Sequence, residues 1–162
     1  MTQSLSGTAV AGDSRDHRLI DLVSLATLQN LQDRFAALGR MTVCIAATEG
    51  HLITRPTWGS RYSELIGASP KGEESLVEGI RSGAKNADPS RAVTCHEGMQ
   101  LYTSPILHDG QTLALLAVGT RKHAAPPEEQ LLRIAGEYGL QPQELQAAAA
   151  LVDPRRGGTR EA

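Results

Sequence analysis

Apolar residues recur at spacings of three and four over residues 25–38, which is the period of an amphipathic helix. Ser24, just before this run, is a favoured N-cap residue, and Gly39 ends the run. The pattern predicts a helix that docks on another element through one apolar stripe. That stripe consists of Leu25, Leu28, Leu31, Phe35 and Leu38.

Further helices are predicted downstream. Residues 62–66 are long enough for a helical turn, and Ser69 followed by Pro70 is a favourable start for a longer helix. Beyond a proline-containing boundary, residues 128–138 and 142–152 predict two short helices. Because this terminal pair is rich in Leu and Ala, it needs an apolar partner surface.

Five segments have the short, β-branched or alternating pattern of strands. The tight turns Glu49-Gly50 and Asp109-Gly110 each predict a hairpin. We therefore expect an α+β fold of PAS/GAF-like type, in which a five-stranded antiparallel sheet carries its flanking helices on one side and ends in a C-terminal helical pair. The five predicted strands are residues 42–48, 51–54, 92–95, 99–107 and 111–119.

The composition of the two ends differs from that of the middle of the chain. Residues 1–18 are predicted to be a disordered leader, and residues 154–162 a disordered tail. Between them, residues 19–123 are expected to form the PAS-like core, and residues 124–153 the C-terminal helices, continuous with the same domain.

Bulk properties exclude several classes of partner. A net charge of -2 over 162 residues gives no electrostatic case for direct binding to nucleic acid or to an anionic membrane. Aromatic residues make up 3% of the chain, which argues against a cavity for a large planar cofactor such as flavin or haem, so no cofactor is expected. Residues 1–20 lack the apolar run of a signal peptide, and the longest apolar run, 112–119, is too short to span a bilayer. A cytoplasmic location with free thiols at Cys44 and Cys95 is therefore expected.

Cys95 and His96 are adjacent candidates for chemistry. A catalytic dyad needs the base within hydrogen-bonding reach of the thiol, yet neighbours on a strand project to opposite faces. A metal site would have to recruit Cys44, His51 or His108, and no two of these residues have the spacing of a metal-binding motif. The remaining interpretation places His96 at the edge of a ligand pocket, with Cys95 either lining its wall or packing in the core.

Other candidate ligand-binding residues lie on either side of this pair. Trp58 stands in an irregular loop, where it is either a packing plug or a pocket lid with an indole donor. Tyr102 could place a hydroxyl on a cavity wall or cap the sheet, while Thr54 and Tyr62 are lesser candidates near the loop.

Several motifs follow one another in a familiar order. They include Leu-Gln-x-Leu-Gln-Asp-x-Phe at 28–35, Ser-Pro-Lys-Gly at 69–72, Cys-His-Glu-Gly-Met at 95–99 and Pro-Ile-x-x-x-Gly at 105–110. Pro-Pro-Glu-Glu at 126–129 and Gly-Leu-x-Pro-x-Glu-Leu at 139–145 complete the series. From about residue 21 to residue 152 the chain resembles the PocR-type sensory domain, a PAS-like ligand-binding module of bacterial regulators and signalling kinases.

The resemblance implies binding of a small organic ligand, whose bound state is passed to an output partner. Family members usually carry further cysteines near the positions of Tyr62 and Leu76, where this chain has no sulfur, so a cysteine-rich site is doubtful here. The usual attached kinase or DNA-binding region is missing from the sequence, so the output protein is expected in a separate chain.

The leading hypothesis is a sensory domain of a signalling or transcription-regulation system, not an enzyme, which binds a small, weakly polar metabolite over the sheet. Apolar faces on both the first and the last helices also make a homodimer expected, and a ligand-independent dimerisation module is the main alternative. A Cys-dependent enzyme and a metal-binding protein are the others.

Overall fold

The computed structural model describes residues 18–86, 88–121 and 126–152. The predicted leader, apart from Arg18, and the predicted tail lie outside the described residues. The described helices are α1 (Leu19–Leu22), α2 (Leu25–Gly39), α3 (Arg61–Gly67), α4 (Pro70–Ala84), α5 (Glu128–Tyr138) and α6 (Pro142–Ala150). The strands are β1 (Thr42–Ala46), β2 (Val93–Cys95), β3 (Met99–His108) and β4 (Gln111–Thr120).

The strands form one antiparallel sheet in the order β1-β4-β3-β2. The β3–β4 hairpin turns at Asp109 and Gly110, whose φ angles are 47° and 78°. Two consecutive positive φ angles are what a tight two-residue hairpin turn requires. The predicted α+β class and this hairpin are therefore confirmed.

The predicted fifth strand is wrong. Residues 51–58 run beside β1, but their strand-like pairing with it is limited to the isolated bridges Ala46–Leu52 and Val43–Thr57, and Ile53 N and Thr54 N both donate to the single carbonyl of Ile45. At the point where a ladder would continue, the Ile45 N–H donates to the side-chain Oγ1 of Thr54 at 2.8 Å. Because a side chain occupies the donor that a strand partner would need, the described residues form a four-stranded sheet.

Helices cover both faces of the sheet, which corrects the expectation of helices on one side. On one face, Leu76 and Ile80 of α4 pack in a core with Cys44, Cys95 and Leu101, among others. On the other face, Leu19 of α1 and Leu28 of α2 pack against Ile45 and Ala114. The alternation of neighbouring strand residues between two cores accounts for the continuous burial of β1.

The start of each long helix has the predicted chemistry. The Ser24 side chain accepts a hydrogen bond from Thr27 N at the start of α2, and the Ser69 side chain accepts one from Gly72 N at the start of α4. These contacts satisfy backbone donors that have no partner inside the helix.

The C-terminal helical pair is confirmed, and its partner surface is mainly α3. Ile134 of α5 and Leu145 of α6 are fully buried in a small helical core with Tyr62 and Ile66. Gly139 separates the two helices and adopts the left-handed conformation, at a φ of 67°. Within the described ranges, no helix combines the length and the apolar character needed to cross a membrane.

Candidate functional site

Arg121 organises a buried polar cluster at the end of β4. Its side chain follows Ala117 and Gly119 on the sheet face that α4 covers, because alternate strand residues share a face. The guanidinium donates from Nε to Ser63 Oγ at 3.0 Å, from Nη1 to the backbone oxygen of Glu97 and from Nη2 to His96 Nδ1 at 3.2 Å. None of the ion pairs among the described residues includes Arg121.

A tight turn places His96 against this guanidinium. After β2, residues His96–Gly98 form one turn of 3₁₀ helix, in which Glu97 has a φ of 50° and Gly98 a φ of 79°. The His96 N–H donates to Ser75 Oγ of α4 at 3.1 Å, which anchors the turn. Consequently the imidazole points into the protein, and only 4% of the residue is exposed.

The protonation of His96 follows from its neighbours. Burial, and then the charge of Arg121, lower the pKa of His96 to about 4, so the ring is neutral near pH 7. An arginine can only donate, so Nδ1 of His96 must accept and the ring proton must lie on Nε2. That Nε2 atom is buried and has no hydrogen-bond partner among the described residues.

Tyr62 contributes a second buried polar atom without a partner. It lies on α3, is 3% exposed, and its hydroxyl makes no hydrogen bond to any described residue. The Arg121 Cζ atom lies 5.0 Å from the centre of the Tyr62 ring, a cation–π distance. Burial raises the pKa of the Tyr62 phenol, so the hydroxyl keeps its proton and can donate.

Trp58 closes one side of this cluster. Its ring and that of His96 meet edge-on, with centroids 6.4 Å apart and planes at 61°. The six-membered ring packs on Gly67, where the Cβ atom of any larger residue would come within 2.1 Å of Trp58 Cη2. Trp58 also lines a surface cleft of about 760 Å³ between α2, the 51–58 segment and α3.

Thr54 lines the same cleft, but its hydroxyl is fully engaged. Thr54 Oγ1 accepts from Ile45 N at 2.8 Å and donates to Gln32 Oε1 at 2.5 Å. Gln32 in turn donates to the Arg55 carbonyl and to Thr57 Oγ1. This network joins α2 to the loop, so Thr54 has a structural role in addition to its position on the cleft wall.

Cys95 lies beside this cluster on the same sheet face, whereas Tyr102 lies on the opposite face. Cys95 packs in the core under α4 with Cys44, and both thiols are free. Burial raises the pKa of Cys95 to about 11 and that of Cys44 to about 12, so neither is a thiolate at neutral pH. Tyr102 pairs with Val118 on the opposite face of the sheet and is half-buried.

Two residues of the site were not predicted. Arg121 gave one signal: it is a basic residue at an inward-facing position directly after a strand of uncharged residues, 111–120. Nothing in the sequence indicated a role for the Glu97 carboxylate. In the structure the Glu97 side chain is 14% exposed and lies 3.4 Å from the Arg133 guanidinium. No group of three or more His, Cys, Asp or Glu side chains among the described residues is arranged to hold a metal ion.

The arrangement suits one kind of ligand group. His96 Nε2–H and the Tyr62 hydroxyl are both donors, and the guanidinium between these side chains carries a positive charge. Such a cluster stabilises an acceptor oxygen, such as that of a hydroxyl, carbonyl or carboxyl group.

Comparison with known proteins identifies the family. Residues 21–155 match the family described as the sensory domain found in PocR. The chain belongs to the PocR sensory-domain family. The resemblance seen in the sequence is thus confirmed, and membership indicates a ligand-sensing role in signalling. No curated protein and no solved structure matches this PocR sensory domain.

Proposed function

We propose that this PocR sensory domain binds a small, weakly polar organic molecule through an acceptor oxygen. The ligand oxygen pairs with His96 and Tyr62, and Trp58 covers it. The bound state passes to an output partner of a signalling or transcription-regulation system.

The observation that carries the proposal is the pair of buried donors without partners. Leaving a buried polar group unsatisfied costs roughly 1–3 kcal/mol, and most buried polar groups in proteins do have partners. Two such atoms flank one half-buried guanidinium here, at His96 and Tyr62. Local violations of this kind are expected where a protein is built to bind something.

Trp58 offers a route of entry. The cleft beside it has a volume of about 760 Å³, within the range of roughly 300–1,000 Å³ typical of small-molecule sites. Since Trp58 separates the cleft from His96, rotation of the indole ring would admit a ligand to the two donors. Cys95 stays behind the site as a packing residue, and Tyr102 lies outside it.

The position of Tyr62 suggests how binding is transmitted. Tyr62 belongs to the helical core formed by α3, α5 and α6. A ligand that engages its hydroxyl favours one packing of α3 against the terminal helices, and so shifts the population of states that an output protein meets.

Catalysis is not part of the proposal. The Cys95 thiol lies in the core under α4, whereas His96 accepts its hydrogen bond from Arg121. The raised pKa of Cys95 and the lowered pKa of His96 keep both groups neutral, the opposite of an activated thiolate–imidazolium pair.

A ligand screen tests the proposal. Short alcohols, diols, aldehydes and carboxylic acids are screened by thermal shift, and each hit is measured by calorimetry on the wild type, Tyr62→Phe and Tyr102→Phe. We expect at least one compound to bind the wild type. It should bind Tyr62→Phe about tenfold more weakly, because that variant loses one hydrogen bond to the ligand. Tyr102→Phe, on the other sheet face, should bind like the wild type. Equal affinity for all three proteins would contradict the site.

A further inference from the structure

An exposed apolar stripe runs along α2. Leu31, Phe35 and Leu38 are 61%, 46% and 88% exposed. They stand beside the row Leu28, Gln32 and Ala36, which packs on the domain itself. The apolar arc of this helix is therefore wider than the surface that its own domain covers.

The stripe faces an open part of the sheet. Gln29, Gln32 and Asp33 hold the 55–57 loop on one flank of α2, so the stripe lies on the opposite flank. The loop bridges one edge of β1 at Thr57, and β4 pairs with its other edge. The stripe consequently lies on the β4 side.

The neighbouring sheet face is apolar and incompletely covered. Leu116 packs against the buried cluster that includes Leu28 of α2, and Val118 and Tyr102 continue the same face across β4 and β3. All three of these sheet residues are only half-buried. We call the set of Leu31, Phe35, Leu38, Tyr102, Leu116 and Val118 the α2–sheet patch.

The remaining parts of the sequence are poorly suited to covering the patch. Of the residues that the structure does not describe, only Met1, Leu5 and Val10 have large apolar side chains. Three scattered side chains cannot replace the contacts that a patch of six apolar residues offers. Covering the patch needs a surface of comparable apolar area, and the same patch on a second copy of the chain is such a surface.

We propose that the α2–sheet patch is the interface of a symmetric homodimer. A twofold axis brings the same surface of both copies together, which is favourable where the surface is apolar and free of repeated charge. None of the six patch residues is charged. A stable interface buries about 800 Å² on each partner, and one exposed helix flank with two adjacent strands provides its apolar centre.

The dimer is independent of ligand binding, because the patch and the His96–Tyr62 cluster lie on opposite faces of the sheet. It also gives Tyr102 a role at the interface. The ligand screen and the test below can therefore fail separately.

Analytical ultracentrifugation over a wide concentration range tests the interface. We expect the wild type to form dimers, and Leu31→Lys to dissociate at least about 100-fold more readily because a charge enters an apolar contact. The matched control is Leu132→Lys, since Leu132 is also a helical leucine, 50% exposed, but lies on α5. This control should dimerise like the wild type.

Two results would overturn the proposal. One is a wild type that stays monomeric at the highest concentration, and the other is a Leu31→Lys dimer as stable as that of Leu132→Lys. Circular dichroism confirms that both variants fold, and Leu38→Lys repeats the test at the most exposed patch position.

Discussion

The Nη2 atom of Arg121 lies 3.2 Å from Nδ1 of His96. This contact fixes the imidazole tautomer, because arginine has no acceptor. It also adds a positive charge to the effect of burial, and both disfavour a second proton on the ring. His96 is therefore a neutral donor at Nε2, which is the property on which the proposed ligand site depends.

The stability of the domain should depend on pH through His96. Burial lowers its pKa from 6.5 to about 4, so between these values the unfolded chain binds a proton that the folded chain does not. The free energy of unfolding should thus fall as the pH drops from about 6.5 to 4, by up to about 3 kcal/mol from this residue. Urea unfolding at a series of pH values measures the slope.

His96→Gln removes the titrating group while keeping an acceptor for Arg121. Its unfolding free energy should vary less over the same pH window than that of the wild type. The control is His51→Gln, since the His51 side chain is 71% exposed. If His51→Gln flattens the profile and His96→Gln does not, the assignment to His96 is wrong.

Local signals in the sequence predicted local structure well. Ser24, Ser69 and the Asp109-Gly110 turn act on backbone groups within a few residues, so their effect is readable from the chain alone. The 51–54 segment failed as a strand because the Thr54 hydroxyl takes the Ile45 N–H, a side-chain choice that a strand pattern does not encode.

The site itself was predictable only in part. Trp58, Tyr62 and His96 were predicted as ligand-binding residues from residue type and local position, but Arg121, the neighbour that His96 and Tyr62 share, was missed. Arg121 is 25 residues from His96 in the chain, and their contact exists only because the β3–β4 register and the turn at Glu97 bring them together. The sequence did not show whether Tyr102 lies on the same sheet face as the site, because helices cover both faces in part.

Arg121 should be essential to stability. Arg121→Met leaves the Glu97 carbonyl and His96 Nδ1 without their donor and removes one of the two donors to Ser63 Oγ, and we expect a loss of about 3 kcal/mol. Arg121→Lys should recover little, because one ammonium cannot replace a planar fork of donors. Urea unfolding measures both variants.

The matched control for Arg121 is Arg81→Met. The Arg81 side chain is 48% exposed and forms an ion pair with Glu78 at 2.9 Å, so its loss should cost less than about 1 kcal/mol. Equal effects at the two positions would show that the buried contacts of Arg121 contribute no more than a surface pair.

Removing the Tyr62 hydroxyl should stabilise the ligand-free protein. Its oxygen is buried without a partner among the described residues, so Tyr62→Phe should raise the free energy of unfolding by up to about 1 kcal/mol. Tyr102→Phe should change it by less than about 0.5 kcal/mol. Thermal melts compare the two, and a clear loss of stability in Tyr62→Phe would mean that the hydroxyl has a partner in solution.

Both cysteines should resist alkylation in the folded state. With a pKa of about 11, about one Cys95 in a thousand is a thiolate at pH 8, and Cys44 has fewer. Iodoacetamide labelling followed by mass spectrometry should therefore be at least about 100-fold slower than in urea. Labelling of Cys95 at the same rate in the folded protein and in urea would contradict its burial in the core and would support a reactive thiol.

Gly67 should control the position of Trp58. A Cβ at Gly67 would lie 2.1 Å from Trp58 Cη2, so Gly67→Ala must displace the indole ring and should cost roughly 1–3 kcal/mol. Because Trp58 is the only tryptophan, its fluorescence reports the movement directly, and we expect a shift to longer wavelength.

Gly136→Ala is the control, since no described atom lies within 4 Å of the added methyl on α5. That change should leave the spectrum unaltered and raise stability by about 0.5–1 kcal/mol. Identical spectra for wild type and Gly67→Ala would mean that Trp58 does not pack on α3.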